Sequence, residues 1–284
     1  MSDRISNIYS YNDNYYRERN PLNSEAAFWL ATAASAAIMA TLPKFSNPFI
    51  RQIKSEHANN HLYKDAFFKS IEKSNLEEEG LKFRNTLLSA YEQRLLGTSA
   101  EKSIKNLDVK LGMNAFYSPD TKEVYLNAEK ATITGFHELG HAMNHLKSKF
   151  GWVLQKMRKP GYYIAGLMGI IALSTRNKPK EAPKTLGDRI KDNCGKIAFI
   201  ALLPTVAEEA LASYKGISLA KEAGLSKELL KNLRKFYGKA LLSYIGYAAV
   251  TGFSVFATSK IMEAFTRPKK VESPYQYNRN YYIA

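Results

Sequence analysis

Four stretches of the chain carry no charged side chain over an unusual length. They are residues 26–43, 160–175, 197–207 and 240–259, which run 18, 16, 11 and 20 residues. A helix that spans a bilayer needs about 20 predominantly apolar residues, with a range of about 17 to 25. The fourth stretch meets that length and the first is close to it, whereas the middle two are short. The pattern predicts about four apolar, membrane-embedded helices, with core helices of a soluble protein as the alternative.

A long polar region separates the first two apolar stretches. Residues 55–96 carry apolar positions at helical spacing, and Gly97 ends that pattern. The period then shortens, so that residues 107–111 and 114–126 are typical of strands, with a turn at 118–121 where proline presets φ. We expect a small β-ribbon that leads directly into a helix.

The fold class that follows is mainly α with a small β-ribbon (α+β), combined with the apolar helices. We divide the chain into six segments: a disordered polar tail (1–24), a first apolar helix (25–43), a helical region with the ribbon and a histidine-bearing helix (44–159), an apolar helical hairpin (160–215), a helix followed by the last apolar helix (216–266) and a second disordered tail (267–284).

The charge balance is strongly basic, with 41 Lys and Arg against 26 Asp and Glu and a net charge of +15. Such an excess indicates a polyanionic neighbour. No zinc-knuckle spacing, aromatic RNA-binding box or phosphate-binding glycine loop accompanies it. We therefore expect an anionic lipid surface and no nucleic acid. The apolar stretches predict a multi-pass membrane protein. Cys194 is the only cysteine, and the N-terminus does not resemble a signal peptide, which together favour a cytoplasmic active site.

The helix predicted after the ribbon carries the chemistry. Asn127 is a good N-cap, and helical propensity continues from there to about Lys149. His137 and His141 are four residues apart, so their rings project from one face and can bind one Zn²⁺. Glu138 lies about 100° further round the helix. There it can take a proton from a water that the metal activates, as the general base of peptide hydrolysis.

The sequence His137-Glu138-Leu139-Gly140-His141 resembles the HExxH zincins, whose catalytic zinc has a third protein ligand. Lys147 stands where a metzincin has its third histidine, so that subclass is excluded. His145 lies one turn after His141, although three turns of one straight helix cannot easily surround one ion. We keep it as an alternative ligand.

A later segment resembles the Glu-x-x-Ala-Asp/Ser element of membrane gluzincins akin to HtpX and the CAAX prenyl endopeptidase. Glu209, Ala212 and Ser213 match that frame. The resemblance implies that Glu209 is the third ligand and that Ser213 orients a histidine. Glu208 is the alternative ligand, and we expect only one of the two glutamates to face the histidines. The usual Asp is absent, and the resemblance does not cover the first hundred residues.

Another pair, His57 and His61, has the same spacing but polar neighbours, and we interpret it as solvated surface. The leading hypothesis is a zinc endopeptidase that cleaves peptide or protein substrates, including membrane proteins, at or in a membrane. The alternatives are a non-catalytic membrane protein stabilised by zinc, and a soluble basic helical binding module in which HELGH is accidental.

Overall fold

The computed structural model describes residues 21–85, 107–176 and 183–267, and this part of the chain is mainly helical. The two tails predicted to be disordered lie outside the described residues, apart from their inner ends at 21–24 and 267. The elements, in chain order, are α1 (Pro21–Met39), α2 (Pro43–Glu56), α3 (His61–Ser74), β1 (Lys82–Asn85), α4 (Leu107–Lys110), β2 (Phe116–Ser118), β3 (Glu123–Leu126), α5 (Thr132–Lys147), α6 (Lys149–Ala172), α7 (Leu186–Glu222) and α8 (Lys227–Thr266).

Within the described part of the chain, three helical segments, rather than about four, are long and apolar enough to cross a membrane: Ser24–Glu56, Leu186–Glu222 and Lys227–Thr266. The stretch at 160–175 does not qualify because its helix, α6, ends at Ala172. Any 18 consecutive residues within α6 therefore include Lys156, Arg158 and Lys159. The short stretch at 197–207 lies inside α7, where its flanking turns supply the missing length.

The small sheet has three strands in the order β1-β3-β2. Strands β2 and β3 pair antiparallel and form the predicted ribbon, while β1 pairs parallel with β3. Two local predictions were wrong: β1 falls inside the stretch predicted as helical, and residues 107–110 form the short helix α4 instead of a strand. In β1, Phe83 packs edge-on against Phe67 and Phe68, a tertiary contact that helical spacing could not reveal.

Contacts divide the chain into two units, and each is described by itself. Unit 1 contains Met1–Ala40, Ile164–Ile200 and Thr251–Ala284. Within it, Gly195 and Gly252 let α7 and α8 approach closely, since a Cβ on Gly195 would lie 2.7 Å from the Gly252 carbonyl oxygen. Arg176 is buried and donates to Ser259 and to the Lys191 carbonyl oxygen. Its charge is thereby tied to α7 and α8.

Unit 2 contains Thr41–Tyr163 and Ala201–Val250, and its core is built from α2, α3, the sheet, α5 and parts of α7 and α8. Phe136 of α5 meets Phe67 of α3 edge-on, with ring centroids 5.5 Å apart. Such aromatic pairs add to the stabilisation that comes from burying their area. This core packs against the Phe136 side of α5, while Gly140 of α5 lies against Ala212 of α7.

Helix α5 begins later than predicted, at Thr132 rather than after an Asn127 cap. The Asn127 side chain instead accepts a hydrogen bond from the Glu129 N–H and donates to the Lys110 carbonyl. The cap of α5 comes from Asn60, whose Oδ1 accepts from the Thr132 N–H and hydroxyl at 2.7 Å each. A donor at the helix start is thus satisfied from a distant loop, a contact that no local sequence pattern contains.

Candidate metal centre

Helices α5 and α7 cross at very short range because both have small residues at the contact. A Cβ on Gly140 would lie 2.0 Å from the Ala212 carbonyl oxygen, and a Cβ on Gly216 would lie 2.3 Å from the Phe136 carbonyl oxygen. Any side chain at either glycine would force the backbones apart. This approach brings the carboxylates of α7 to the histidines of α5.

Three side-chain atoms converge at the crossing. His137 Nε2 lies 3.0 Å from His141 Nε2 and 3.0 Å from Glu209 Oε2, and His141 Nε2 lies 3.4 Å from the same oxygen. Ligands of a tetrahedral zinc, at about 2.0–2.1 Å from the ion, are about 3.3 Å from one another. The triangle formed by these atoms therefore has nearly the size of one face of such a site.

The opposite nitrogen of each imidazole is also held. His137 Nδ1 lies 3.1 Å from Ser213 Oγ, and His141 Nδ1 lies 2.8 Å from Glu208 Oε1. Contacts of this kind fix the ring orientation and the tautomer of metal-binding histidines. Ser213 of α7 thus lies against the Nδ1 side of the His137 ring.

Both glutamates of α7 contact the histidines, so the expectation that only one of them would face the site was wrong. They reach different nitrogens: Glu209 lies at the Nε2 side, and Glu208 lies behind His141 at Nδ1. Both side chains are almost fully buried, Glu208 at 0% and Glu209 at 1% exposure. Adjacent residues on a helix point about 100° apart. The His141 ring is wide enough for Glu208 to contact one edge and Glu209 the other.

Arg158 of α6 joins the two carboxylates. Its guanidinium lies 2.8 Å from Glu208 Oε2 and 2.7 Å from Glu209 Oε1. Asn144 and Gln155 also donate to Glu208 Oε1. No local pattern indicates this role, because Arg158 belongs to the run Lys-Met-Arg-Lys, which is typical of a solvated basic surface. Arg158 and its amide partners were therefore missed.

Glu138 lies beside the histidines, and its Oε2 accepts a hydrogen bond from the Tyr117 N–H at 2.8 Å. Burial raises the pKa of this carboxyl group, while the two histidines act in the opposite direction. The pairing of β2 with β3 leaves that N–H of the edge strand free to bond the helix. Two overlapping groups could hold a metal ion, His137 with Glu138 and His141, and His141 with Glu208 and Glu209.

His145, the alternative ligand, faces away from the triangle. Its Nδ1 lies 2.7 Å from the Tyr117 hydroxyl, and its pKa is lowered by partial burial and by Lys122 and Lys156. His57 and His61 do not converge either, because His57 Nε2 contacts the Gly112 carbonyl oxygen and His61 Nδ1 contacts the Ala58 carbonyl oxygen.

A cavity of about 110 Å³ opens beside His137 and Glu138. It is larger than the share of one water molecule, about 30 Å³, and somewhat smaller than a 150 Å³ cavity that holds benzene. Asn114, Thr134, Ser243 and Tyr244 add polar atoms to its wall. The apolar part of the wall comes from α2 and α8, through Phe49, Ile53, Phe236, Tyr237 and Ala240.

Comparison with protein-family models, with curated proteins and with solved structures gave no significant match. The assignment of the site therefore depends on its geometry and on the chemistry of its residues.

The close crossing makes a prediction about Gly140. We expect Gly140→Ala to lower the thermal unfolding temperature of the purified protein, because overpacking costs about 1–3 kcal/mol and here the obstacle is backbone. Gly238→Ala is the matched control, since a Cβ there meets nothing within 4 Å. Alanine is the better helix former, so the control should be neutral or slightly more stable. Equal destabilisation by both changes would contradict the packing argument.

Proposed function

We propose that the protein is a zinc-dependent endopeptidase that acts at or in a membrane. The observation that carries this proposal is the triangle of His137 Nε2, His141 Nε2 and Glu209 Oε2, with Glu138 at its side. Two imidazoles and one carboxylate are the ligand set of catalytic zinc in the thermolysin-like class, and they leave one position open.

The donor set fits a cation on chemical grounds. Glu208 lies against His141 Nδ1 and, when ionised, can only accept, so that nitrogen carries the hydrogen of the neutral ring. The Nε2 of His141 then presents a lone pair towards His137 Nε2 and Glu209 Oε2. With Ser213 Oγ donating to His137 Nδ1, the Nε2 of that ring also presents a lone pair, and all three atoms can bind one cation. Nitrogen with carboxylate oxygen suits Zn²⁺ better than Ca²⁺ or Mg²⁺.

A zinc ion held by His137, His141 and Glu209 would supply Lewis acidity to the peptide carbonyl and would make the attacking water more acidic. Glu138 acts as the general base, and its raised pKa brings it closer to neutral pH, where a general base is most effective. The Tyr117 N–H bond holds one oxygen and leaves the other for the proton. Glu138 then returns that proton to the leaving amine.

The remaining polar residues position the ligands. Ser213 and Glu208 orient the two rings, and Arg158 binds the Glu209 oxygen that is turned away from the histidines. The cavity beside Glu138, with its partly apolar wall, is the place for a substrate side chain, and its size suits an aliphatic group.

The membrane part of the proposal comes from the three long apolar helices, which expose many large apolar side chains. Phe28, Trp29, Ile200, Phe253 and Phe256 are each more than 40% exposed. Isolated exposed apolar residues are ordinary, but so many on spanning-length helices indicate lipid contact. Substrates would then be peptide segments at the bilayer, including those of membrane proteins.

The ligand assignment predicts an order of zinc affinities. Glu209→Gln should weaken zinc binding most, because it removes a charged ligand. Glu208→Gln should cost about 10-fold, the low end for an outer partner, since its amide oxygen can still accept. His145→Ala and the exposed control Glu222→Gln should bind like the wild type. Chelator competition measures this order, and an unaffected Glu209→Gln beside a deficient His145→Ala would mean a three-histidine site.

The general-base assignment predicts that Glu138→Gln abolishes peptide cleavage while the protein still binds zinc. The amide matches the carboxylate in size but cannot take up the proton. Cleavage of a fluorogenic peptide with an aliphatic residue, measured on zinc-loaded protein, is the test. A variant as active as the wild type would rule out this role, and a wild type that binds zinc without cleaving any peptide would favour the non-catalytic alternative.

The membrane assignment predicts that the protein stays in the membrane pellet after carbonate extraction, because helices of spanning length hold it in the bilayer. A known peripheral protein in the same preparation serves as the control for release. Recovery of the protein in the supernatant would show that the long helices pack in a soluble structure, and would leave the metal site unaffected.

A further inference from the structure

The first three turns of α6 have two different faces. The inner face, Gly151, Leu154 and Arg158, packs against α5 and the metal centre: Gly151 lies against Asn144, and Arg158 binds both glutamates of α7. The outer face carries large apolar side chains in the open. Phe150, Trp152, Val153 and Met157 are 66%, 45%, 43% and 47% exposed.

The charges on this outer face are all of one sign. Lys149, Lys156 and Lys159 are exposed among the apolar residues, and no acidic residue occurs in the sequence between Glu138 and Glu181. Lys156 Nζ lies 5.4 Å from the centre of the Trp152 ring, a cation–π contact that holds both side chains at the surface. The face therefore combines aromatic and aliphatic groups with positively charged side chains.

We propose that this outer face of α6, residues 149–159, is a docking surface for anionic phospholipid headgroups. Tryptophan and lysine beside exposed aliphatic residues form the pattern of helices that lie at a bilayer interface. Each lysine near an anionic leaflet adds to the attraction.

Lipid fits this surface better than the other anionic partners. Nucleic acid would be bound by the lysines but would leave Phe150, Val153 and Met157 uncovered. The apolar groups and the lysines are mixed along the same turns, so one occupant must meet both, and a bilayer interface offers apolar and anionic groups within a few ångströms.

The position of the surface matters for the site. Arg158 and Gln155 lie on the opposite side of the same helical turns and contact Glu208 directly. Docking of α6 on a bilayer thus holds the metal centre within one helix diameter of the headgroups. The proposal rests on the membrane part of the proposed function, and it does not depend on zinc or on catalysis.

Fluorescence of Trp152 tests it. The chain has two tryptophans, so Trp29→Phe leaves Trp152 as the reporter. The protein is reconstituted in phosphatidylcholine vesicles with or without phosphatidylserine, using lipids brominated either near the headgroup or near the chain end. We expect a blue-shifted emission and stronger quenching by the shallow bromines. Phosphatidylserine should increase this quenching, and added salt should reduce the increase.

A charge variant and its control complete the experiment. Lys149→Gln with Lys159→Gln should remove the phosphatidylserine-dependent part of the quenching. Lys231→Gln with Lys235→Gln, two exposed lysines of α8, should keep it although the net charge changes equally. Absence of quenching would overturn the proposal and point to a protein partner or to water. Quenching that is the same with and without phosphatidylserine, and the same in both variants, would show that docking does not depend on anionic headgroups.

Failure of this proposal can be told apart from failure of the proposed function. If carbonate releases the protein from membranes, vesicle flotation of the same variants replaces reconstitution. Flotation that depends on phosphatidylserine and on Lys149 and Lys159 would still support docking through α6. Loss of flotation for wild type and variants alike would overturn it. Zinc binding, measured on the same samples, reports separately on the metal centre.

Discussion

The close contact of α5 and α7 determines most of what the candidate site can do. Because Gly140 has no side chain, the Ala212 backbone can lie against it, and Glu209 then reaches Nε2 of both histidines. One turn further along, Gly216 lets α7 stay close to α5. A separation larger by the width of one methyl group would move the Glu209 oxygen away from the imidazoles, so the packing and the chemistry impose the same requirement on these positions.

The sequence specified one part of this site well and another part poorly. The spacing of His137, Glu138 and His141 lies within one helix, where geometry follows from residue number. The choice between Glu208 and Glu209 depends on how α7 is rotated against α5, which is a tertiary property. Both residues turned out to hold histidines, because an imidazole offers two nitrogens on opposite edges. The prediction that only one of the two glutamates faces the histidines did not allow for this arrangement.

The missed features share a cause. Asn60 caps α5 although it lies 72 residues before Thr132 in the chain. Arg158 belongs to a lysine-rich run but binds Glu209 in the site. Phe83 lies in a strand, packed against Phe67, where the apolar spacing predicts a helix. Each depends on contacts between segments far apart in the chain. The apolar stretches were easier to recognise, since length and charge are local properties of the sequence. The number of helices of spanning length among the described residues is nevertheless three rather than about four, because α6 contains Lys156, Arg158 and Lys159.

The charges of the site give a further argument for a divalent ion. Glu138, Glu208 and Glu209 bring three carboxylates into a buried region. Among the described residues, Glu208 and Glu209 form ion pairs with the two histidines and with Arg158. When Glu138 is ionised, as a general base must be, three carboxylates and one guanidinium leave two negative charges. Burying such an excess is costly unless it is balanced. Two protonated histidines would balance it, but then His137 Nε2 and His141 Nε2 would both carry hydrogens at 3.0 Å from each other. One ion of charge two removes the excess and lets both rings stay neutral, which is the state that binds metal.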